Sequence, residues 1–147
     1  MYGYGLRGIV SFCFLVSVLV VGGQENSANA AGLVAKVDLS RQVMQVYVDG
    51  KKRYSWRVST GKKGWRTPTG RYSPIASYRS KYVKRWRMTL PWAVVIKSSG
   101  IAIHGSRGPM GSPRSHGCIR LPNSNAAKFY KLVQKHGYWG TSVVVQR

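Results

Sequence analysis

Acidic residues are nearly absent from this sequence. Three Asp and Glu stand against 24 Lys and Arg, a formal net charge of +21 over 147 residues. Cysteine is scarcer still, at two in the chain, too few and too far apart to read as a disulfide framework. The N-terminal apolar run, Ile9 to Val21, falls short of the roughly 20 residues that a membrane span needs. Each absence excludes something. Beyond residue 30 only Asp38 and Asp49 carry carboxylates, both in one N-terminal hairpin, and no His or Cys pair has finger spacing. Zinc wants about four ligands, or three and a water, so neither a metal nor any other cofactor is expected.

Arg7, the apolar run and the ending Ala28-Asn29-Ala30 have the order of a cleavable secretory signal. The expected division is a signal peptide over 1–30 and a single domain over 31–147, with an uncleaved anchor as the alternative. The protein is expected in the periplasm or cell envelope as a monomer, meeting the membrane only transiently through its signal. Cleavage after Ala30 removes Cys13 and leaves Cys118 as the single thiol. A lone cysteine in an oxidising compartment points to intermolecular pairing or to a free reactive thiol. A buried inert cysteine is the plain alternative.

Lys and Arg are spread along the whole domain, not gathered in a tail. Such charge implies an acidic partner or surface. Export disfavours nucleic acid and leaves acidic envelope polymers as expected partners, with a compositional bias as the alternative.

Most of the chain reads as strands. Leu33 to Leu39 is one. In Gln42 to Val48, Met44, Val46 and Val48 share a face opposite Val43 and Tyr47. Asp49-Gly50 is a hairpin turn with Lys52 to Thr60 as the return strand. Gly61 to Pro74 is a loop dense in turn formers. Ser77 to Thr89 is basic and aromatic without a period. Trp92 to Ser98 and Gly100 to His104 are two further strands, followed by a Gly/Pro/Ser-rich loop to Arg114. A helix should follow Pro122, capped by Asn123 or Ser124, with Ala126, Tyr130 and Val133 on one stripe, Phe129 and Leu132 beside it, and Gly137 stopping it. Thr141 to Gln146 closes the domain as a strand.

The chemistry gathers around RSHGCIRLP, Arg114 to Pro122. His116 lies two residues before Cys118, where side chains on a loop diverge. His104, at a strand end, is the better base. A neighbouring imidazolium favours the thiolate, the reactive form of cysteine. Gly117 removes bulk next to the sulfur, and the N–H groups of Gly117 and Cys118 are candidate donors to an oxyanion. His136 lies in the last helical turn, where a cation suits the dipole, and reads as structural.

Ile103-His104-Gly105 followed by Ser115-His116-Gly117-Cys118-Ile119-Arg120-Leu121 resembles the signature of the L,D-transpeptidase catalytic domain, the YkuD family. The hairpin VDLSRQVMQVYVDGK and the segment WRVSTGKKGWRTPTGRY are similar to that family as well, so the resemblance runs from about Leu33 onward. It implies a mainly β, sandwich-like domain with a helix after the cysteine loop. It also implies peptidoglycan stem peptides as substrate, with Cys118 as nucleophile and His104 as proton carrier. Ser115, His116 and Gly117 would line the cysteine loop as oxyanion or substrate contacts. Arg120 would either hold that loop or meet a substrate carboxylate. The implied reaction expels a terminal D-Ala from a tetrapeptide, forms a thioester and passes the acyl group to an amine, a 3→3 cross-link. Two departures stand out. Arg87-Met88-Thr89-Leu90-Pro91-Trp92 replaces the usual approach to the histidine strand, and no LysM-type segment is visible, so positive charge is expected to serve in wall binding. The alternatives are an L,D-carboxypeptidase or endopeptidase that uses water as acceptor, and a non-enzymatic cationic envelope-binding protein.

Overall fold

The computed structural model describes residues 32–147; the signal peptide expected over 1–30 lies outside the described residues. Alternation builds the first sheet. Leu33, Ala35 and Val37 of β1 (Leu33–Asp38) are buried, as are Met44 and Val46 of β2 (Val43–Val48). Every second side chain therefore enters the core while its neighbours stay partly wet. Asp49 and Gly50 join β2 to β3 (Lys51–Arg57) with φ of 48° and 76°, the pair of positive values that matches the twist of a two-residue hairpin. The loop expected over Gly61 to Pro74 contains a short strand, β4 (Gly70–Tyr72). β9 (Thr141–Gln146) runs parallel to β1 and antiparallel to β4. The five-stranded sheet has the order β3-β2-β1-β9-β4.

The second, four-stranded sheet runs in sequence order through β5 (Ala76–Val83), β6 (Met88–Val95), β7 (Ala102–Ser106) and β8 (Ile119–Pro122). Its first pair is long and largely exposed. The stretch without a period forms the outer parts of β5 and β6, joined by a single 3₁₀ turn at Lys84–Trp86. No alternation marks it in the sequence because both faces of this ribbon meet water; Tyr78, Tyr82, Trp86 and Met88 are exposed. Trp92, at φ 54°, interrupts the β5–β6 pairing and packs on Tyr130. Inward of it, Ala93, Val94 and Val95 are buried.

The helix α1 (Asn123–His136) packs against β6, β7 and β8. It buries Ala126, Phe129 and Val133 and leaves Tyr130 and Leu132 partly covered. Gly137 ends it with φ 74° and an N–H bond to Val133 O at 2.9 Å. Its start differs from the expected Asn123 or Ser124 cap. β8 runs straight into α1, so the cap position falls on Pro122, and no side chain caps the helix. Asn123 Oδ1 instead lies buried without a partner, where a Cβ on Gly105 would strike it. Among the described residues no helix is long and apolar enough to cross a membrane.

Candidate active site

β7 and β8 are parallel neighbours, with Ile103 opposite Ile119 and His104 opposite Arg120. Ile103 and Ile119 are fully buried in the core. The period of a strand then sends Ala102, His104 and Arg120 to the other face, with Cys118 just before β8. That face opens into a cleft of about 230 Å³ that His104, Ser115, His116, Cys118 and Arg120 all line. The cysteine and the histidine proposed to serve it thus enter one cleft from adjacent strands, while His136 lies on α1, beside Gly32.

Most of the loop that carries Cys118 is fixed by residues distant in sequence. Ser59, Thr60 and Gly61 run alongside it. Ser59 N–H donates to Arg120 O at 3.1 Å and accepts on its own carbonyl from Arg120 N–H at 2.9 Å. Ser115 N–H donates to Thr60 O at 3.0 Å, and Lys62 N–H to Ser115 O at 3.0 Å. Thr67 Oγ1 accepts from Gly61 N–H at 2.9 Å and donates to Gly117 O at 2.8 Å. Within the loop, Ser115 Oγ donates to Cys118 O at 2.5 Å and accepts from Gly117 N–H at 3.1 Å. Gly117 N–H is therefore already engaged. Gly117 itself sits at φ 114°, and a Cβ there would meet Ile101 Cδ1 at 2.7 Å, so only glycine fits.

His104 is 3% exposed, and its Nδ1 lies 2.8 Å from Gly105 O. A carbonyl only accepts, so Nδ1 carries the hydrogen and Nε2 is left bare to take a proton. Burial pushes the His104 pKa down to about 4; the bond to Gly105 opposes this and the Arg120 charge adds to it. Burial likewise pushes the Cys118 thiol up, against smaller pulls from the Ala102 backbone and Arg120. Its Sγ lies 3.7 Å from Gly100 O. Burial thus favours a neutral thiol and a neutral imidazole in the one cleft, against the ion pair that a Cys-His motif first suggests. Arg120 is half-buried, and its Nε is buried without a hydrogen-bond partner. Among the described residues no three His, Cys, Asp or Glu side chains come together as metal ligands.

Sequence reasoning missed the mouth of the cleft. The His116 ring stacks on Trp86, centroids 4.1 Å apart at 7°, and meets Trp65 edge-on at 5.0 Å. The Arg85 guanidinium lies 4.9 Å from the Trp86 centroid. Desolvation, then Lys62, Arg120 and Arg85, hold His116 below the ordinary imidazole range. The signal was present as Trp65 and Trp86 among cations, but nothing in the sequence joins those segments to His116.

Residues 33–145 match the family described as the L,D-transpeptidase catalytic domain, YkuD. The chain is 29% identical over 119 residues to L,D-transpeptidase 2 of Mycobacterium tuberculosis (strain CDC 1551 / Oshkosh), covering 70% of this chain and 29% of that protein. The solved structure of an L,D-transpeptidase from Mycobacterium smegmatis is similar at a TM-score of 0.73 and 26% identity, over 80% of this chain and 59% of that one. L,D-transpeptidase 3 from Mycobacterium tuberculosis, solved with a faropenem-derived adduct, shares the fold at a TM-score of 0.70 and 23% identity, over 79% and 60%. The chain thus spans about three-tenths of the curated relative and about three-fifths of these structures. The family match extends from the first residue of β1 into β9, and the chain belongs to the L,D-transpeptidase catalytic-domain family.

Proposed function

We propose that the protein is a cysteine-dependent L,D-transpeptidase of the cell envelope, an acyltransferase acting on peptidoglycan tetrapeptide stems. Cys118 Sγ attacks the carbonyl carbon of the diamino acid. His104 Nε2 takes the thiol proton as the S–C bond forms, then gives it to the departing nitrogen as the bond to D-Ala breaks. The product is a thioester on Cys118. An amine of a neighbouring stem attacks that carbonyl, the thioester C–S bond breaks, and a 3→3 cross-link forms as the proton returns to sulfur through His104. A neutral imidazole suits both transfers, because it can accept first and donate later. Cys118 N–H is the candidate oxyanion donor, given that Gly117 N–H is held by Ser115. Arg120, with an unpartnered Nε in the cleft, is the candidate for meeting a substrate carboxylate.

The observation that carries this reading is the bare Nε2 of a buried His104 on the same cleft face as the only thiol among the described residues. A purely cationic envelope binder needs the charge and gives that pairing no role. Incubation of the purified protein with disaccharide-tetrapeptides, followed by mass spectrometry, tests it. A dimer that has lost D-Ala is expected. Tripeptide alone identifies a hydrolase using water as acceptor, and unchanged substrate removes the enzymatic reading. A carbapenem should add one drug mass to the protein through a thioester at Cys118; a mycobacterial relative has been solved with a faropenem-derived adduct.

A further inference from the structure

Behind the partition formed by Thr60, Gly61 and Thr67 lies a second and larger hollow, about 420 Å³. The loop from Gly61 to Thr67 divides the two spaces. Trp65 lines the catalytic cleft, whereas Lys63 and Arg66 line the second hollow, where Arg147 joins them. None of the three is in an ion pair among the described residues. Among the described residues the one ion pair is Arg41 with Asp38, and Asp38 also accepts from Ser40 Oγ and Arg41 N–H. The floor is polar and neutral. Gln42 and Thr60, 3% and 2% exposed, are locked together: Gln42 Nε2 donates to Thr60 Oγ1 at 2.7 Å, and Thr60 N–H donates to Gln42 Oε1 at 3.0 Å. The Thr60 hydroxyl proton is left without an acceptor among the described residues. Leu39 and Pro113 add apolar surface.

We propose that this hollow is a second binding site, which takes a free carboxylate of a peptidoglycan stem peptide. Its volume falls within the roughly 300–1,000 Å³ typical of small-ligand sites. Arginine forks fit a planar carboxylate bidentately, and the Thr60 hydroxyl adds a neutral donor. The apolar surface suits the methyl groups of alanine in a stem. The source of the ligand rests on the function proposed above; the preference for a carboxylate does not. The site is also coupled to the chemistry. Thr67 and Gly61 line the hollow and also hold the cysteine loop, through the Thr67 bond to Gly117 O and the Gly61 N–H bond to Thr67.

The test is binding of a disaccharide-tripeptide to the full chain, followed by backbone-amide NMR. The tripeptide lacks the terminal D-Ala leaving group, so the readout is independent of turnover. Shifts are expected at Gln42, Thr60 and Lys63. Combined Lys63→Gln, Arg66→Gln and Arg147→Gln should weaken binding at least tenfold. The same charge removed from the far edge strand, by Lys51→Gln, Lys52→Gln and Arg53→Gln, should change it less than twofold. A probe with its carboxylates amidated should bind at least tenfold more weakly. Equal losses in both variants reduce the effect to bulk charge and overturn the site. Shifts confined to Gly100, His116 and Cys118, or tighter binding of a glycerol-phosphate oligomer, overturn it too. If the tripeptide binds as expected but tetrapeptides are never turned over, the function proposed above fails and this site stands.

Discussion

The cleft is bounded on one side by the cysteine loop with its supporting segments, and on the other by the ribbon of β5 and β6. The first side rests on buried, hydrogen-bonded groups. Ser59, Thr60, Thr67 and Ser115 are all at most 3% exposed, and their hydrogen bonds reach one another across the sequence. The second side is wet and cationic, with Tyr82 at 60% exposure and Arg85, Trp86 and Arg87 projecting from a turn that buries nothing. Position of the proposed nucleophile thus rests on groups that substitution will disturb. The mouth is built from groups that can change without moving the thiol.

The largest effect should come from the first side. Cys118→Ala should abolish turnover and carbapenem adduct formation while leaving the circular dichroism spectrum and the melting transition close to wild type; a wild-type rate from this variant would sink the mechanism. His104→Ala should slow acylation by about 10²–10⁴-fold, the usual worth of a positioned general base. If His116→Ala is the more damaging change, the base has been assigned to the wrong ring. The pH profile sharpens the same point. Because the folded pKa of His104 lies near 4, its neutral form persists above about pH 5, so acylation should fall only as pH drops toward 4, without an inflection between 6 and 7. The linkage has the same direction: an unfolded His104 binds a proton near 6.5 and the folded one near 4. Stability is therefore complete above 6.5 and is lost as pH falls toward 4, by about 3 kcal/mol. His104→Gln should flatten that part of the stability curve.

Thr67→Val keeps the shape and removes the hydroxyl that serves Gly61 N–H and Gly117 O. Leaving buried polar groups unpaired costs about 1–3 kcal/mol, which urea unfolding would register, along with a fall in kcat larger than the change in KM. Trp86→Ala should do less: stability within about 0.5 kcal/mol, as for surface changes generally, and turnover of a small tetrapeptide reduced less than His104→Ala reduces it. A Trp86 effect as large as the Thr67 effect would erase the distinction between the two sides. Salt should have the smallest effect on chemistry. Exposed charge acts over about 8 Å at physiological ionic strength. Raising salt to a few tenths molar should release the protein from isolated sacculi while leaving saturated turnover of a soluble tetrapeptide nearly unchanged.

The parts that were legible in the sequence were those where chemistry repeats or where a residue type is demanded locally. Leu33, Ala35 and Val37 alternate because one face is buried, and Asp49-Gly50 turns because both positions need positive φ. The two ribbon strands carried no such pattern, since neither face packs. The helix cap failed as an expectation because a strand delivers the chain directly into the helix, a tertiary fact. At the site, the motif pointed to His104 and Cys118 together. The contact of Thr67 with Gly117, 50 residues apart, and the buried amide of Gln42 beside Thr60 follow only from the folded sheet order. The preference for a neutral thiol and a neutral imidazole follows from burial, which no spacing encodes.

The position of β9 has a consequence for how the molecule comes into being. The strand at residues 141–146 pairs with β1 on one side and β4 on the other. Until it arrives, β1 is paired on one edge alone, with β2, and β4 has no partner, so the five-stranded sheet is two fragments with raw edges. A chain emerging N-terminus first cannot finish this sheet early; β1 waits for its second neighbour until more than a hundred residues later. Pairings of such long range fold slowly. Assembly of the support for Cys118 is deferred accordingly, because Ser59 and Thr60 follow directly from the hairpin that β1 anchors. The thiol should therefore be at its most open to stray oxidants in the interval before β9 docks, and pulse-labelling with a thiol reagent during refolding would time that interval.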